Sequence, residues 1–153
     1  MSEYQYLKVE KAEGVARITL DRPKHNVLDI DMMNELIAEL EGLATDDELK
    51  CLVISGAGAS FCAGVEVADH KPENVRQMID TFNRSLSLIE NLEVPTVAAV
   101  HGACLGGAME LISYCDFVVA APDATLGQPE IKLAFFPPVA CHKLPRLVGY
   151  QNA

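Results

Sequence analysis

Hydrophobic residues alternate with polar residues near the start of the chain and later recur at every third or fourth position. The alternation in YLKVEKAEGVARITL predicts two strands about a turn near Glu13 and Gly14. The later spacing predicts a helix over residues 30–44, with Asn26 and Asp29 as candidate N-caps. A second helix is predicted from after Pro72 to about Leu92.

Short apolar runs between these stretches predict further strands. The runs are CLVIS, TVAAV and FVVAA, and GAMELISYC predicts a helix after the loop GACLGG. Strands that alternate with helices are typical of a parallel sheet covered by helices, so an α/β fold is expected. The final YQNA is typical of a helix start and has no C-cap, which indicates that the chain is a piece of something longer.

Composition narrows the possible functions. The 153 residues suit one domain, and a net charge of -10 disfavours binding to nucleic acid or an anionic membrane. No apolar segment approaches the length of about 18 residues needed for a membrane span, and the N-terminus lacks the apolar stretch of a signal peptide. We therefore expect a soluble, cytoplasmic protein. The five cysteines lack metal-ligand spacing, which predicts reduced, mostly buried thiols with no metal and no disulfide.

Two stretches of small residues follow predicted strands. GAGASFCAG comes after CLVIS, and HGACLGG comes after TVAAV. Small residues allow a ligand to approach the backbone, and amides at a helix N-terminus are free to donate to an anion or oxyanion. Ordinary tight turns would give the same pattern for either stretch alone. A P-loop is excluded because no Lys-Ser or Lys-Thr follows the glycines.

Two glutamates stand in apolar surroundings near these stretches. Glu110 follows Gly107 by three residues on the predicted helix, and Glu130 lies in GQPEIKL. The helix dipole favours a carboxylate in the first turn, whereas apolar neighbours raise its pKa, and the combination suits proton transfer. A surface acid is the alternative for each glutamate taken alone.

These residues carry a family resemblance. The segments ISGAGASFCAGVEV, VHGACLGGAMELISYCDFVVAAPDATLGQPEIKL and FFPPVACHKLPRLVG resemble the enoyl-CoA hydratase/isomerase, or crotonase, superfamily. The resemblance covers residues 6–149. It implies a crotonase-like (ClpP/crotonase) spiral core of ββα units over residues 1–149, with residues 150–153 starting a C-terminal helical region that is otherwise absent from the chain.

The resemblance also implies roles for particular residues. Backbone amides that correspond to Ala63 and Gly107 form an oxyanion hole for a thioester carbonyl, and Glu110 and Glu130 correspond to the catalytic pair. Coenzyme A enters as part of the substrate, so no metal and no other cofactor is expected. The remaining residues expected to contact substrate or CoA are Lys24, Cys62, Gly64, Val65, Gly106, Pro129 and Pro138.

The glutamate pair favours hydration of an α,β-unsaturated acyl-CoA, because other members of the superfamily often lack one or both acids. A double-bond isomerase and a non-catalytic acyl-CoA-binding or assembly module are the alternatives. The stretches PKHNVLD, GVEVADH and PPVACHKLPR are similar to cyclic dienoyl-CoA hydratases. The resemblance further implies a homo-oligomer, a trimer or hexamer. The 153-residue form is expected to self-associate and to have little hydratase activity.

Other residues receive less specific interpretations. Cys62 adjoins the proposed oxyanion amide, so a thiol nucleophile is conceivable, but a small buried cysteine is favoured. Asp116 is expected to cap or brace a turn. The histidines have no metal-binding spacing, and surface or structural roles are favoured for His25, His70, His101 and His142.

Overall fold

A five-stranded sheet forms the framework of the protein in the computed structural model, which describes residues 4–153. Residues 1–3 of the predicted core lie outside the described part. The strands are β1 Leu7–Ala12, β2 Val15–Leu20, β3 Cys51–Gly56, β4 Thr96–Val100, β5 Ala103–Leu105, β6 Phe117–Ala120 and β7 Thr125–Gly127. The large sheet has the order β1-β2-β3-β4-β6; β1 and β2 are antiparallel, and the other neighbours are parallel. The predicted α/β fold with a parallel sheet is confirmed.

The predicted helices are present, with small changes at their ends. They are α1 Ile30–Leu43, α2 Val75–Glu90, α3 Gly107–Ile112 and α4 Pro138–Val148, and two 3₁₀ turns cover Val67–His70 and Pro129–Leu133. Asp29 caps α1, since its side chain accepts the Met32 amide at 2.9 Å. Helix α4 was not predicted; Pro138 occupies its first position, where a missing N–H costs nothing.

The core lies between the sheet and the first two helices. Helix α1 buries a continuous stripe that includes Met32, Leu36 and Leu40, and α2 packs beside it through Phe82 and Leu86. Alternate residues of β2 and β3 are fully buried beneath the helices. The helical and strand periodicities of the sequence therefore correspond to the two sides of one core.

The loop prediction for GACLGG is wrong in part, because Ala103–Leu105 forms β5 and pairs with β7 in a second, two-stranded sheet. The strand predicted for FVVAA is present as β6, which lies at the edge of the large sheet with all four of its residues exposed. Residues 150–153 form a hydrogen-bonded turn, and the C-terminal helical region stays a prediction.

Asp116 was expected to cap or brace a turn, and its side chain is hydrogen-bonded to the start of the central strand β4. Its Oδ2 accepts both the amide and the hydroxyl of Thr96 at 2.8 Å, and Thr96 is buried at the first position of β4. These hydrogen bonds hold the pKa of the Asp116 carboxyl below its ordinary value. These bonds join the segment that follows α3 to β4, and the loop after the other end of β4 leads into the site.

Asn26 does not cap α1; its side chain forms hydrogen bonds to several residues of the loop that follows β3. Its buried side-chain amide donates to the carbonyls of Ala57, Ser60 and Phe61 at 2.8–3.1 Å, and its Oδ1 accepts the Arg22 amide at 3.0 Å. The two hydrogens of one side-chain amide are therefore shared among three loop carbonyls, for which the described residues supply no other donor.

Replacement of Asn26 by aspartate is expected to lower the free energy of unfolding by about 2–3 kcal/mol. The shape is retained, but an oxygen then faces three carbonyl oxygens and leaves them without a donor. Urea unfolding monitored by circular dichroism measures the change. Replacement of the exposed Asn34 of α1 by aspartate is a matched control, and a difference below about 0.5 kcal/mol between the two variants would contradict the assigned role.

Candidate active site

The loops after β3 and β4 run side by side at one edge of the sheet. The Phe61 amide donates to the His101 carbonyl at 2.8 Å, and the Cys62 amide donates to the Ala103 carbonyl at 3.0 Å. The carboxyl ends of parallel strands meet at the same edge, so the strand order itself brings the two small-residue stretches together. The two small-residue stretches therefore lie next to each other at this edge of the sheet.

The amide of Ala63 is not free to bind an oxyanion. It donates to the His25 carbonyl at 2.9 Å, so the donor role predicted for Ala63 is wrong in this conformation. The Gly64 carbonyl and the Glu66 amide both bond to Leu28, and the Val65 amide between them therefore points away from Leu28. Within the described residues, the Val65 amide has no hydrogen-bond acceptor.

Gly107 lies directly against Val65. It is the first residue of α3, where an amide has no acceptor within the helix. A methyl group placed on Gly107 would lie 2.5 Å from Val65 Cγ2 and 3.5 Å from Val65 N. Glycine is therefore required here for close packing. Among residues 4–153, neither the Val65 amide nor the Gly107 amide has an acceptor, and the two lie next to each other.

Glu110 lies one turn into α3 and is almost completely buried. Only 6% of the residue is exposed, and its Oε1 accepts the Ala140 amide at 2.8 Å from the first turn of α4. Burial raises the pKa of the Glu110 carboxyl above its ordinary value; the Ala140 hydrogen bond opposes this rise, and the nearby Glu130 adds to it. The prediction of a raised pKa at Glu110 is confirmed.

Glu130 approaches the same place from the 3₁₀ turn Pro129–Leu133. A methyl group on Gly106 would lie 2.7 Å from Glu130 Oε1, and Gly106 immediately precedes α3 with a φ of 56°. When the Gln128 side chain is oriented with its nitrogen toward Glu130, that nitrogen lies 2.9 Å and 3.0 Å from the two carboxylate oxygens. Gln128 was not singled out in the sequence, although it stands two residues before Glu130 in GQPE.

These groups surround one cavity of about 780 Å³. Its walls are mostly apolar, and the predicted site residues that line it are Ala63, Gly64, Val65, Gly106, Gly107, Glu110, Pro129, Glu130 and Pro138. Lys24 and Cys62 do not line it: Lys24 is exposed on the loop after β2, and Cys62 is buried. The cavity therefore gives no support to the contacts predicted for those two residues.

Several cavity residues were not identified as site residues in the sequence. His70 and His142 line the cavity, whereas His25 and His101 hydrogen-bond to Ser60 and Gly58 away from it. On α2 the missed residues are Val75, Met78, Ile79 and Phe82. The apolar spacing of α2 gave a signal for them, but that spacing predicts a helix face without showing whether a core or a cavity lies against it. Tyr114, Phe135 and Phe136 also line the cavity and lie outside α2.

The structure favours an unreactive thiol at Cys62. Burial raises the pKa of Cys62 to about 12, and the Gly64 amide donates to its sulfur at 3.4 Å. All five cysteines are described, and none forms a disulfide. In residues 4–153 no cluster of histidine, cysteine and acidic residues could hold a metal ion.

Titration with an aromatic disulfide reagent at pH 8 is expected to modify Cys141 first. Cys141 is exposed, whereas Cys62 and Cys104 are buried and each has a pKa of about 12, so only a very small fraction is thiolate. Mass spectrometry of the labelled peptides identifies the reacting residue. The same titration in urea is the control, because unfolding exposes all five thiols; rapid labelling of Cys62 in the folded protein would contradict the assignment.

The family model for enoyl-CoA hydratase/isomerase matches residues 10–153, and the chain therefore belongs to this family. It is 33% identical over 145 residues to the cyclohexa-1,5-dienecarbonyl-CoA hydratase of Thauera aromatica, covering 95% of this chain and 56% of that protein. It is 29% identical over 173 residues to the peroxisomal Delta(3,5)-Delta(2,4)-dienoyl-CoA isomerase of Arabidopsis thaliana, covering 100% of this chain and 62% of that protein.

A solved structure supports the same conclusion. The enoyl-CoA hydratase from Bacillus anthracis superposes with a TM-score of 0.89 at 33% identity, covering 95% of this chain and 59% of that one. The chain thus spans between 56% and 62% of the length of these three proteins. The predicted superfamily and its crotonase-like core are confirmed, and the relatives include both hydratases and isomerases.

Proposed function

We propose that this site adds water across the double bond of an α,β-unsaturated acyl-CoA thioester. The observation that carries the proposal is that Glu110 and Glu130 line the same cavity next to the unsatisfied amides of Val65 and Gly107. Addition of water requires one group to take a proton from water and another to deliver a proton to carbon. Two carboxyl groups with different surroundings are suited to carry out these two proton transfers separately.

The two amides would bind the thioester oxygen. Negative charge develops on that oxygen when water attacks the conjugated double bond, and preorganised N–H donors stabilise it. We therefore assign the oxyanion hole to Val65 and Gly107, in place of Ala63 and Gly107. The mostly apolar cavity would exclude bulk water around the oxygen and strengthen both hydrogen bonds. Coenzyme A is needed only as part of the substrate, and the mechanism uses no other cofactor.

Double-bond isomerisation is the second candidate. A relative of this chain bears the name of a dienoyl-CoA isomerase, and moving a double bond also requires a group that takes up and returns a proton. The presence of both glutamates favours hydration, because isomerisation incorporates no oxygen from water.

The proposal is tested with crotonyl-CoA, a cyclic dienoyl-CoA and a 3-enoyl-CoA in water enriched in oxygen-18. Loss of the conjugated absorbance with one labelled oxygen in the product is the expected result. Conversion of the 3-enoyl substrate without label would favour the isomerase. Tight binding of the thioesters without turnover would favour the binding module.

We also propose that the protein acts as a cytoplasmic homo-oligomer. Free thiols are consistent with a reducing compartment, and exposed apolar side chains such as Phe117, Ile131 and Phe136 favour association. Within residues 4–153, no helix has the length and apolar character that crossing a bilayer requires. Sedimentation velocity at several concentrations distinguishes a trimer or hexamer from a monomer.

A further inference from the structure

Helix α4 contacts the rest of the protein through few residues. Of its eleven described residues, only Ala140 is buried, with 2% of its surface exposed. Cys141, Leu147 and Val148 are all exposed. A helix with so little buried apolar area gains little from the hydrophobic effect, so its position depends on specific contacts.

Lys143 supplies such a contact on two other helices at once. Its Nζ lies 2.6 Å from Oε1 of Glu90, the last residue of α2, and 4.0 Å from the centre of the Tyr114 ring, which follows α3. The Lys143 side chain is 20% exposed and the Glu90 side chain is 51% exposed, so water reaches the ion pair from the Glu90 side and the contact with the Tyr114 ring adds to it. One ammonium group therefore links α2, α3 and α4.

Lys143 and the Glu110 contact lie on the same side of α4. Residues three apart are neighbours on a helix surface, and Lys143 follows Ala140 by three positions. The Ala140 amide is in the first turn of α4, where it has no acceptor within the helix, and it donates to Glu110 Oε1 at 2.8 Å. A shift of α4 at Lys143 would therefore move the donor away from Glu110.

We propose that Lys143 is a positioning residue for Glu110: through Glu90 and Tyr114 it holds α4 so that the Ala140 amide binds the Glu110 carboxylate. Lys143 does not line the cavity and touches no reacting atom. The structural part of this inference concerns contacts within the protein; its catalytic part rests on the proposed function, in which Glu110 transfers a proton.

The contact has a consequence that can be measured on Glu110. A hydrogen bond to a carboxylate favours its ionised form, whereas burial and the charge of Glu130 favour the protonated form. The other titratable groups around the cavity are His70 from the first 3₁₀ turn, Tyr114 near α3 and His142 from α4. Loss of the Ala140 contact alone should therefore raise the pKa of Glu110 further.

The test is a carbon-13 NMR titration of the glutamate side-chain carboxyls in the 153-residue chain. The Glu110 signal is identified by its absence in Glu110→Gln. Lys143→Met is expected to raise the Glu110 pKa by about one unit, and Glu90→Gln is expected to raise it by a smaller amount. Lys143→Arg should titrate close to wild type. Lys8→Met is the matched control, because it removes an exposed ion pair between Lys8 on β1 and Asp21 after β2.

Activity provides a second readout. Lys143→Met should lower kcat for hydration about tenfold with little change in KM, and it should move the pH profile in the same direction as the NMR titration. Lys143→Arg should restore most of kcat. A role confined to stability would leave the pH profile of the folded protein unchanged.

Two results would overturn the positioning role. One is a Glu110 titration in Lys143→Met that matches the Lys8→Met control. The other is an unshifted Glu110 pKa in Glu90→Gln, which keeps the whole Lys143 side chain. This variant decides if circular dichroism shows that Lys143→Met is unfolded. A shifted Glu110, together with no hydration of any thioester by a chain extended to the length of its relatives, would confirm the positioning contact and reject the proposed function.

Discussion

In a chain extended to the length of its relatives, replacement of Glu130 by glutamine is expected to lower the rate of hydration by about 100-fold or more while the fold stays intact. Glutamine keeps the size of the side chain and can still hydrogen-bond to Gln128, but it cannot exchange a proton at carbon or water. Steady-state hydration of an enoyl-CoA measures the rate, and circular dichroism checks the fold. Substrate binding should change little, because Glu130 is assigned to proton transfer.

Glu110→Gln is expected to have a similar effect on turnover. The side-chain oxygen of glutamine can still accept the Ala140 amide, so loss of activity would reflect loss of proton transfer and not displacement of α4. Glu10→Gln, on the exposed face of β1, is the matched control and should retain full activity. Near wild-type turnover in either cavity variant would show that the two-glutamate mechanism is wrong for this protein.

Gly107→Ala is expected to reduce hydration by ~10²–10³, the effect of losing one oxyanion donor. The added methyl would lie 2.5 Å from Val65 Cγ2 and 3.4 Å from Phe82 Cζ, so we expect the two chain segments to move apart where the Phe82 ring leaves the Val65 side chain no room to turn. The distance between the two donors then no longer fits a single oxygen. Kinetics should show the loss mainly in kcat, because the hydrogen bonds strengthen in the transition state.

Two further variants separate donor geometry from the general effect of an added methyl. Gly42→Ala on α1 is the control, since a methyl there meets nothing within 4 Å and activity should be unchanged. The double variant Gly107→Ala/Val65→Ala removes the colliding Cγ2 atom and should recover at least tenfold of the lost activity. Full activity in Gly107→Ala would reject the assignment of the Val65 and Gly107 amides to the oxyanion hole.

The helices and strands whose apolar residues recur at a regular spacing were predictable from the sequence. Helix α1 and its Asp29 cap, helix α2, and the strands β1 to β4 follow from local patterns, because their apolar residues face one core. Helix α4 was not predictable in this way, since Pro138 and Pro145 interrupt the pattern and Ala140 is its only buried residue among those described. Strand β5 has three residues and exists only because β7 pairs with it.

In the candidate site, too, some features depend on residues that are close in the sequence, and others depend on residues that only folding brings together. Glu110 and Gly107 lie on one short helix, so their relation is local and the sequence indicates it directly. The choice between the Ala63 and Val65 amides is not local. It depends on His25 and Leu28, which are far away in the sequence and take up the neighbouring backbone groups. Likewise, the cavity lining excludes Cys62 although Cys62 directly precedes Ala63 in the sequence, and it also excludes Lys24.

The sequence by itself determined the α/β class, the family, the two catalytic candidates and the glycine beside them, because these depend on residue types at short, fixed spacings. Only the tertiary structure decided which amides remain unsatisfied, that Gln128 and α4 hold the two carboxylates, and that Lys143 links three helices. Hydrogen-bond satisfaction is a property of all the groups within about 3 Å of a donor, and those groups come from distant parts of the chain. The spacing of residues along the sequence does not show which of these groups come into contact.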